Sequence, residues 1–224
     1  IVAIDLWNEA FPVNAASWNG TQAQLVQMCW NVYDAAKAVD PGVKILAPSF
    51  FDITSLTNFL AAQDPVSLKF GYDTFDYLNI HCYKAGPNKA LKGTDIYYTH
   101  ALGVAAAQRI LVATGQASRP VVCTEWGISE TLDADTTAFF ALTAAQRKLY
   151  IQRMFVMGAL DGLQLFCPFS VSTLAGDYAT DTTGVIAAVT DVQAKIAGKT
   201  LVSGGWLADG SVTVTTSEGN TYTW

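Results

Sequence analysis

Two glutamates in this chain each stand at the end of an apolar run. Glu9 follows Ile1–Leu6 after Trp7 and Asn8, and Glu125 follows Val121, Val122, Cys123 and Thr124. Two carboxyls facing one cleft suit cleavage of a glycosidic bond. One, protonated, gives its proton to the leaving oxygen; the other, ionised, attacks the anomeric carbon or activates water. Like charges held close together separate the two pKa values, and that assigns the roles. Aromatic and polar side chains stand at the same kind of position: Trp7 and Asn8 before Glu9, His81 and Tyr83 after a third run, Trp126 after Glu125. Aromatic faces suit sugar rings, and polar edges suit hydroxyls. Each residue alone has an ordinary alternative. Asn-Glu fits any surface turn, Glu125 could pair with Arg119 or Arg147, and His81 and Tyr83 could be hydrogen-bonded core residues.

The elements that must position these groups are legible as a repeat. Five apolar runs recur: Ile1–Leu6, Val43–Ala47, Phe75–Ile80, Pro120–Cys123 and Leu163–Phe166. Each is nearly continuous in large apolar residues, as in strands buried on both faces of a parallel sheet. Helical spacing fills the intervals over Gln22–Val39, Ile53–Ala62, Tyr97–Thr114, Ala144–Ala159 and Val185–Ile196, with stops at Asp40-Pro41-Gly42, Gly115, Gly162 and Gly198. The alternation predicts an α/β chain of βα units. Their spacing of roughly 30–45 residues suits a (β/α)8 barrel. A doubly wound sheet fits the alternation too, but no glycine-rich phosphate loop follows the first strand. In barrels the active groups project from the C-terminal strand ends. Those ends are where Glu9, His81, Glu125 and Phe166 fall, while Ala47-Pro48-Ser49-Phe50 reads as chemically quiet. From Val202 the pattern alternates around Asp209-Gly210, a hairpin signal. The expected organisation is a barrel portion over residues 1–201 and the start of a β-sandwich-like module over 202–224.

Composition narrows the partners. The chain has 224 residues, net charge −6 and only 14% charged residues. Binding of nucleic acid needs a basic footprint that is lacking here. No long charge-free apolar run suggests a membrane span. Four scattered cysteines, Cys29, Cys82, Cys123 and Cys167, contain no C-x-x-C pair, and the bland reading is buried thiols. No metal or organic cofactor is expected. A metal-dependent hydrolase would need more than His81 and His100, and a Schiff-base enzyme would need a strand-borne lysine other than Lys44 or Lys69. Asp5 reads as a barrel-interior polar group, Asp133 and Asp135 as solvated loop acids, and Asp73 and Asp76 as residues of the stability face. Trp30 and Tyr33 read as helix core rather than sugar platforms, and Asn19-Gly20-Thr21 as a possible glycosylation sequon.

Taken together, Asn8-Glu9, His81-x-Tyr83 and Thr124-Glu125-Trp126-Gly127, in that order, resemble the retaining glycoside hydrolases of the large (β/α)8 clan that includes the cellulases. The nearest flavour is its β-xylosidase-like and exopolysaccharide-hydrolase branch, which often carries an added β-sandwich. The resemblance covers roughly residues 1 to 200 and implies barrel strands 4 to 8. It implies Glu9 as general acid/base and Glu125 as nucleophile, with carboxyls about 5–5.5 Å apart. It further implies that Asn8 bonds the sugar 2-hydroxyl, Tyr83 orients Glu125, His81 lines the neighbouring subsite, and Trp126, Trp7 and Trp18 form sugar platforms. Two departures stand out: Ala10 replaces the usual proline, and Phe166 or Phe169 must serve where a tryptophan is usual. The expected partner is a β-linked carbohydrate, and the resemblance suggests a secreted or periplasmic protein. A barrel alone needs ~250 residues, so upstream sequence bearing strands 1 to 3 is expected to complete the fold. The alternative reading is a carbohydrate-binding barrel without catalysis.

Overall fold

The computed structural model describes residues 3–10, 18–50, 52–83, 104–127, 143–168 and 182–224. It divides into two units, Ile1–Cys82 with Ala101–Thr124, and Tyr83–His100 with Glu125–Trp224.

The first unit is built on parallel strands. β1 (Ala3–Asp5) pairs with β2 (Lys44–Leu46) in the register Ala3–Lys44, Ile4–Ile45, Asp5–Leu46. β3 (Leu78–Tyr83) joins through rungs placed mostly beyond the end of β2: Ala47 N–H donates to the Tyr77 carbonyl at 2.8 Å and His81 N–H to the Phe50 carbonyl at 2.8 Å. β4 (Val121–Gly127) is the neighbour of β3 in its sheet, and Leu78 N–H donates to the Pro120 carbonyl just before it at 2.9 Å. Parallel neighbours need crossover connections. Here α1 (Gln22–Val39), α2 (Ile53–Ala61) and α3 (Val104–Ala113) lie between the strands in sequence. Among the described residues, the outer edge of β1 carries no strand, and Ala3 and Asp5 are exposed on it.

Local signals explain the helices. Thr21 caps α1 in a reciprocal pair with Gln24, which fills two of the free donors of the first turn. Asp52 caps α2 by accepting from Ser55 N–H at 2.7 Å. α1 buries Leu25, Val26 and Cys29 along one face, and burial pushes the Cys29 thiol well above its ordinary range. Phe50, Phe59 and Phe75 are fully buried, with Leu56 and Leu60, in the core under the strands. Gly71 begins a 3-10 turn, Gly71–Asp73, packed so closely on the Phe59 carbonyl that any side chain there would overlap it. The two acids read as structural are so. Asp73 accepts from Phe70 N–H at 2.9 Å. Asp76 accepts from Lys37 at 2.7 Å and from Ile45 N–H at 2.8 Å, tying α1 and β2 to the start of β3.

The second unit holds α4 (Ala144–Leu160), β5 (Phe166–Pro168), α5 (Thr182–Ile196) and an antiparallel meander of β6 (Leu201–Trp206), β7 (Val212–Thr216) and β8 (Thr221–Thr223). The hairpin sits at the expected Asp209-Gly210, where Leu207 N–H donates to the Ser211 carbonyl at 2.8 Å. On β7, Val212, Val214 and Thr216 point inward, and the two valines share a core with Val156 of α4, Val192 of α5 and Trp224. Asp191 gathers the indole N–H of Trp224 at 3.0 Å, Gln152 at 2.8 Å and Lys195 at 2.9 Å. The turn after α4 borders a groove of about 1110 Å³ lined by Leu160, Asp161, Lys199 and Ser203.

The strands are shifted against the apolar runs. The run Leu163–Phe166 yields a strand only at Phe166–Pro168, and Leu165 is 44% exposed. Phe75–Ile80 yields Leu78–Tyr83, because Phe75 and Asp76 serve the turn that enters the sheet.

Candidate functional site

Four residues after β1 the backbone makes an unusual turn. Glu9 has φ +49°, the left-handed region, which a side chain with a Cβ disfavours. The conformation is held from β2's side. Glu9 N–H donates to the Ser49 hydroxyl oxygen at 2.8 Å, and Ser49 N–H donates to the Trp7 carbonyl at 2.9 Å. Ser49 is fully buried. The segment read as chemically quiet therefore carries the group that fixes Glu9, a correction with a simple cause. A lone serine inside Ala47-Pro48-Ser49-Phe50 announces nothing until the strand order places it beside Trp7 and Glu9.

The Glu9 side chain is 25% accessible, and its Oε1 lies 3.0 Å from Nδ1 of His81. His81 is fully buried on β3, and its other ring nitrogen, Nε2, lies 3.2 Å from the Thr124 hydroxyl on β4. The contacts continue inward. The Thr124 hydroxyl is 2.8 Å from Asn79 Oδ1, Thr124 N–H donates to the same oxygen at 3.3 Å, and Asn79 Nδ2 donates to Asp5 Oδ2 at 2.9 Å. Asn79, also fully buried, shares β3 with His81 at the two-residue spacing that puts both on one face. One carboxyl that reaches solvent is thus backed by a row of polar groups on three strands, with Asn79 and His81 buried at its centre. Glu9 Oε1 and His81 Nδ1 are atom types that a divalent cation accepts, but each is the other's hydrogen-bond partner.

Other expected residues fall as follows. Asn8 is exposed beside Glu9. Trp7 is 39% exposed, and its ring meets Trp18 edge-on at 5.4 Å. Glu125 follows Thr124 on β4 and is half-buried. Tyr83, Trp126 and Phe166 are placed by backbone on β3, β4 and β5; their side chains lie outside the described residues, as do Phe169, His100, Asp133, Asp135 and the Arg147 side chain. Arg119 is engaged by Gln116 Oε1 at 2.8 Å and by the Phe75 carbonyl. Trp30 stacks on Tyr33 at 5.7 Å, half-buried on α1. Thr21 of the sequon is the α1 cap, with Asn19 exposed before it.

No family model and no curated protein matches this sequence. Solved structures do. An α-L-arabinofuranosidase from Thermotoga maritima, in its arabinose complex, superimposes with a TM-score of 0.57 at 11% identity over 92% of this chain and 42% of its own. A glucosidase from Croceicoccus marinus gives 0.52 at 16% identity over 93% and 46%. The chain has a glycosidase-like fold. It spans less than half the length of either of these structures, and at such identities the likeness is one of fold.

Proposed function

We propose that this chain is part of a retaining O-glycoside hydrolase that cleaves β-glycosidic bonds in an oligo- or polysaccharide by double displacement. The observation that carries the proposal is Glu9: a carboxyl at a strand end, open to solvent on one side and bonded on the other to a buried histidine. In the first step a Glu125 carboxylate oxygen bonds to the anomeric carbon as the bond to the leaving oxygen breaks, and Glu9 gives that oxygen its proton. In the second, Glu9 takes a proton from water, whose oxygen displaces Glu125. Asn8, Tyr83, Trp126, Trp7 and Phe166 are assigned to sugar contact. No metal takes part, and the protein acts outside the cytoplasm. Further βα units complete a (β/α)8 barrel; the edge of β1, strandless among the described residues, supports that part of the reading.

The test is kinetic, on the full-length protein. Glu125→Gln should abolish turnover with the fold intact. Glu9→Ala should be slow on natural substrates and be rescued by azide on substrates with activated leaving groups. Normal turnover by Glu125→Gln would remove the nucleophile assignment. Sugar binding without turnover by the unaltered protein would favour a carbohydrate-binding barrel instead.

A further inference from the structure

We infer that Asp5, Asn79 and Thr124 together decide which ring nitrogen of His81 carries its proton, and so which face of the ring, donor or acceptor, meets Glu9. Each step follows from the atoms in contact. An asparagine amide has one end that only accepts and one that only donates. Asp5 Oδ2, an acceptor, faces the Asn79 side chain at 2.9 Å, and Thr124 N–H, a donor, faces it at 3.3 Å. Both neighbours therefore require Nδ2 toward Asp5 and Oδ1 toward Thr124. The Thr124 hydroxyl oxygen then lies 2.8 Å from Asn79 Oδ1. Two oxygens that close need a hydrogen between them, and only the threonine has one. With that hydrogen directed at Asn79, Thr124 Oγ1 presents a lone pair to His81 Nε2 at 3.2 Å. Nε2 must then carry a hydrogen.

The consequence falls on Glu9. A neutral imidazole protonated at Nε2 offers only a lone pair at Nδ1. Nδ1 and Glu9 Oε1 lie 3.0 Å apart, and that contact is bonding only with a proton in it, on the carboxyl or on the ring. The opposite tautomer would let His81 donate from Nδ1 to a bare carboxylate, which suits a base and not an acid. The row thus sets Nδ1 as an acceptor toward the Glu9 carboxyl, the arrangement that suits an acid. The buried members, Asn79 and His81, cannot trade these bonds for water. Asp5, Asn79 and Thr124 are positioning residues acting through His81. The catalytic part rests on the reading of Glu9 as general acid; the tautomer does not.

Nitrogen NMR of the ¹⁵N-histidine-labelled full-length protein can report on ring protonation, with His81→Asn identifying the His81 signals. The expected spectrum has a protonated Nε2 on His81. Thr124→Val removes the acceptor and should shift His81 to the Nδ1-protonated form or a mixture, while Thr124→Ser should restore the Nε2 form. Thr124→Val should also slow substrates with poor leaving groups about 10-fold, a part of the usual acid contribution of 10²–10⁴, with less change on activated ones. A bare Nε2 in the unaltered protein, or an unchanged tautomer in a folded Thr124→Val protein, overturns the inference. The first of these decides even if the variant does not fold. The expected tautomers in a protein without glycosidase activity would overturn the proposed function and leave this inference standing.

Discussion

At the scale of residues, Glu9 is held by backbone as much as by side chain. Glu9 sits at φ +49° because the turn has two anchors, Ser49 Oγ on its own N–H and Ser49 N–H on the Trp7 carbonyl. A left-handed non-glycine residue costs of order 1–3 kcal/mol, and the buried serine holds it there. Ser49→Ala leaves a donor without its acceptor, so it should lower stability by about 1–2 kcal/mol in urea denaturation and reduce turnover of poor leaving groups more than of activated ones. Equal loss on both classes would mean that Ser49 serves the fold alone. Glu9, His81 and Glu125 were legible as polar residues ending apolar runs. Asn79 carries a fainter signal, a polar residue flanked by Leu78 and Ile80 inside a buried run. Ser49 carried none, because its role depends on which strands are neighbours.

At the scale of elements, helices were easier to place than strands. α1 matches its expected bounds because its start and stop are chemical: a capping threonine and an Asp-Pro-Gly terminator. α4 ends by the same logic. Gly162 takes φ +77°, and the N–H groups of Gly162 and Leu163 return to the carbonyls of Ala159 and Gly158. Strand bounds slipped because apolar runs mark burial, whereas strands are defined by pairing. The end of α4 also makes a pH prediction. Burial pushes the Asp161 carboxyl up to about 6, at a helix end whose carbonyls disfavour negative charge. Its unfolded-state value is near 3.8, so the folded form binds the proton more tightly, and stability falls as pH rises from about 4 through about 6. Allowing for its partial exposure, the cost at pH 7 is about 1–2 kcal/mol. Asp161→Asn should therefore unfold about 2–6 °C higher than the unaltered protein at neutral pH and match it near pH 4 in calorimetry. A gain of equal size at both pH values would assign the effect to something other than charge.

At the scale of the whole chain, net charge −6 and few charged residues accord with the neutral carbohydrate of the proposed function. Turnover of a neutral oligosaccharide should be nearly flat in salt. Turnover of a polyuronate should rise as salt goes from about 0.02 to 0.5 M and the screening length falls from roughly 20 Å to about 4 Å. A strong salt dependence with the neutral sugar would count against that view. The βα alternation was legible at this scale because a repeat is a property of many residues at once. The row behind Glu9 was not, since its bonds join residues 74, 72 and 45 positions apart. That distance along the chain has a kinetic meaning. Helices can form on local contacts, but each of these bonds must first close a long loop. Glu9 gains its buried partners only after the chain from Asp5 to Thr124 has come together, so the polar row behind it is among the last things that folding assembles.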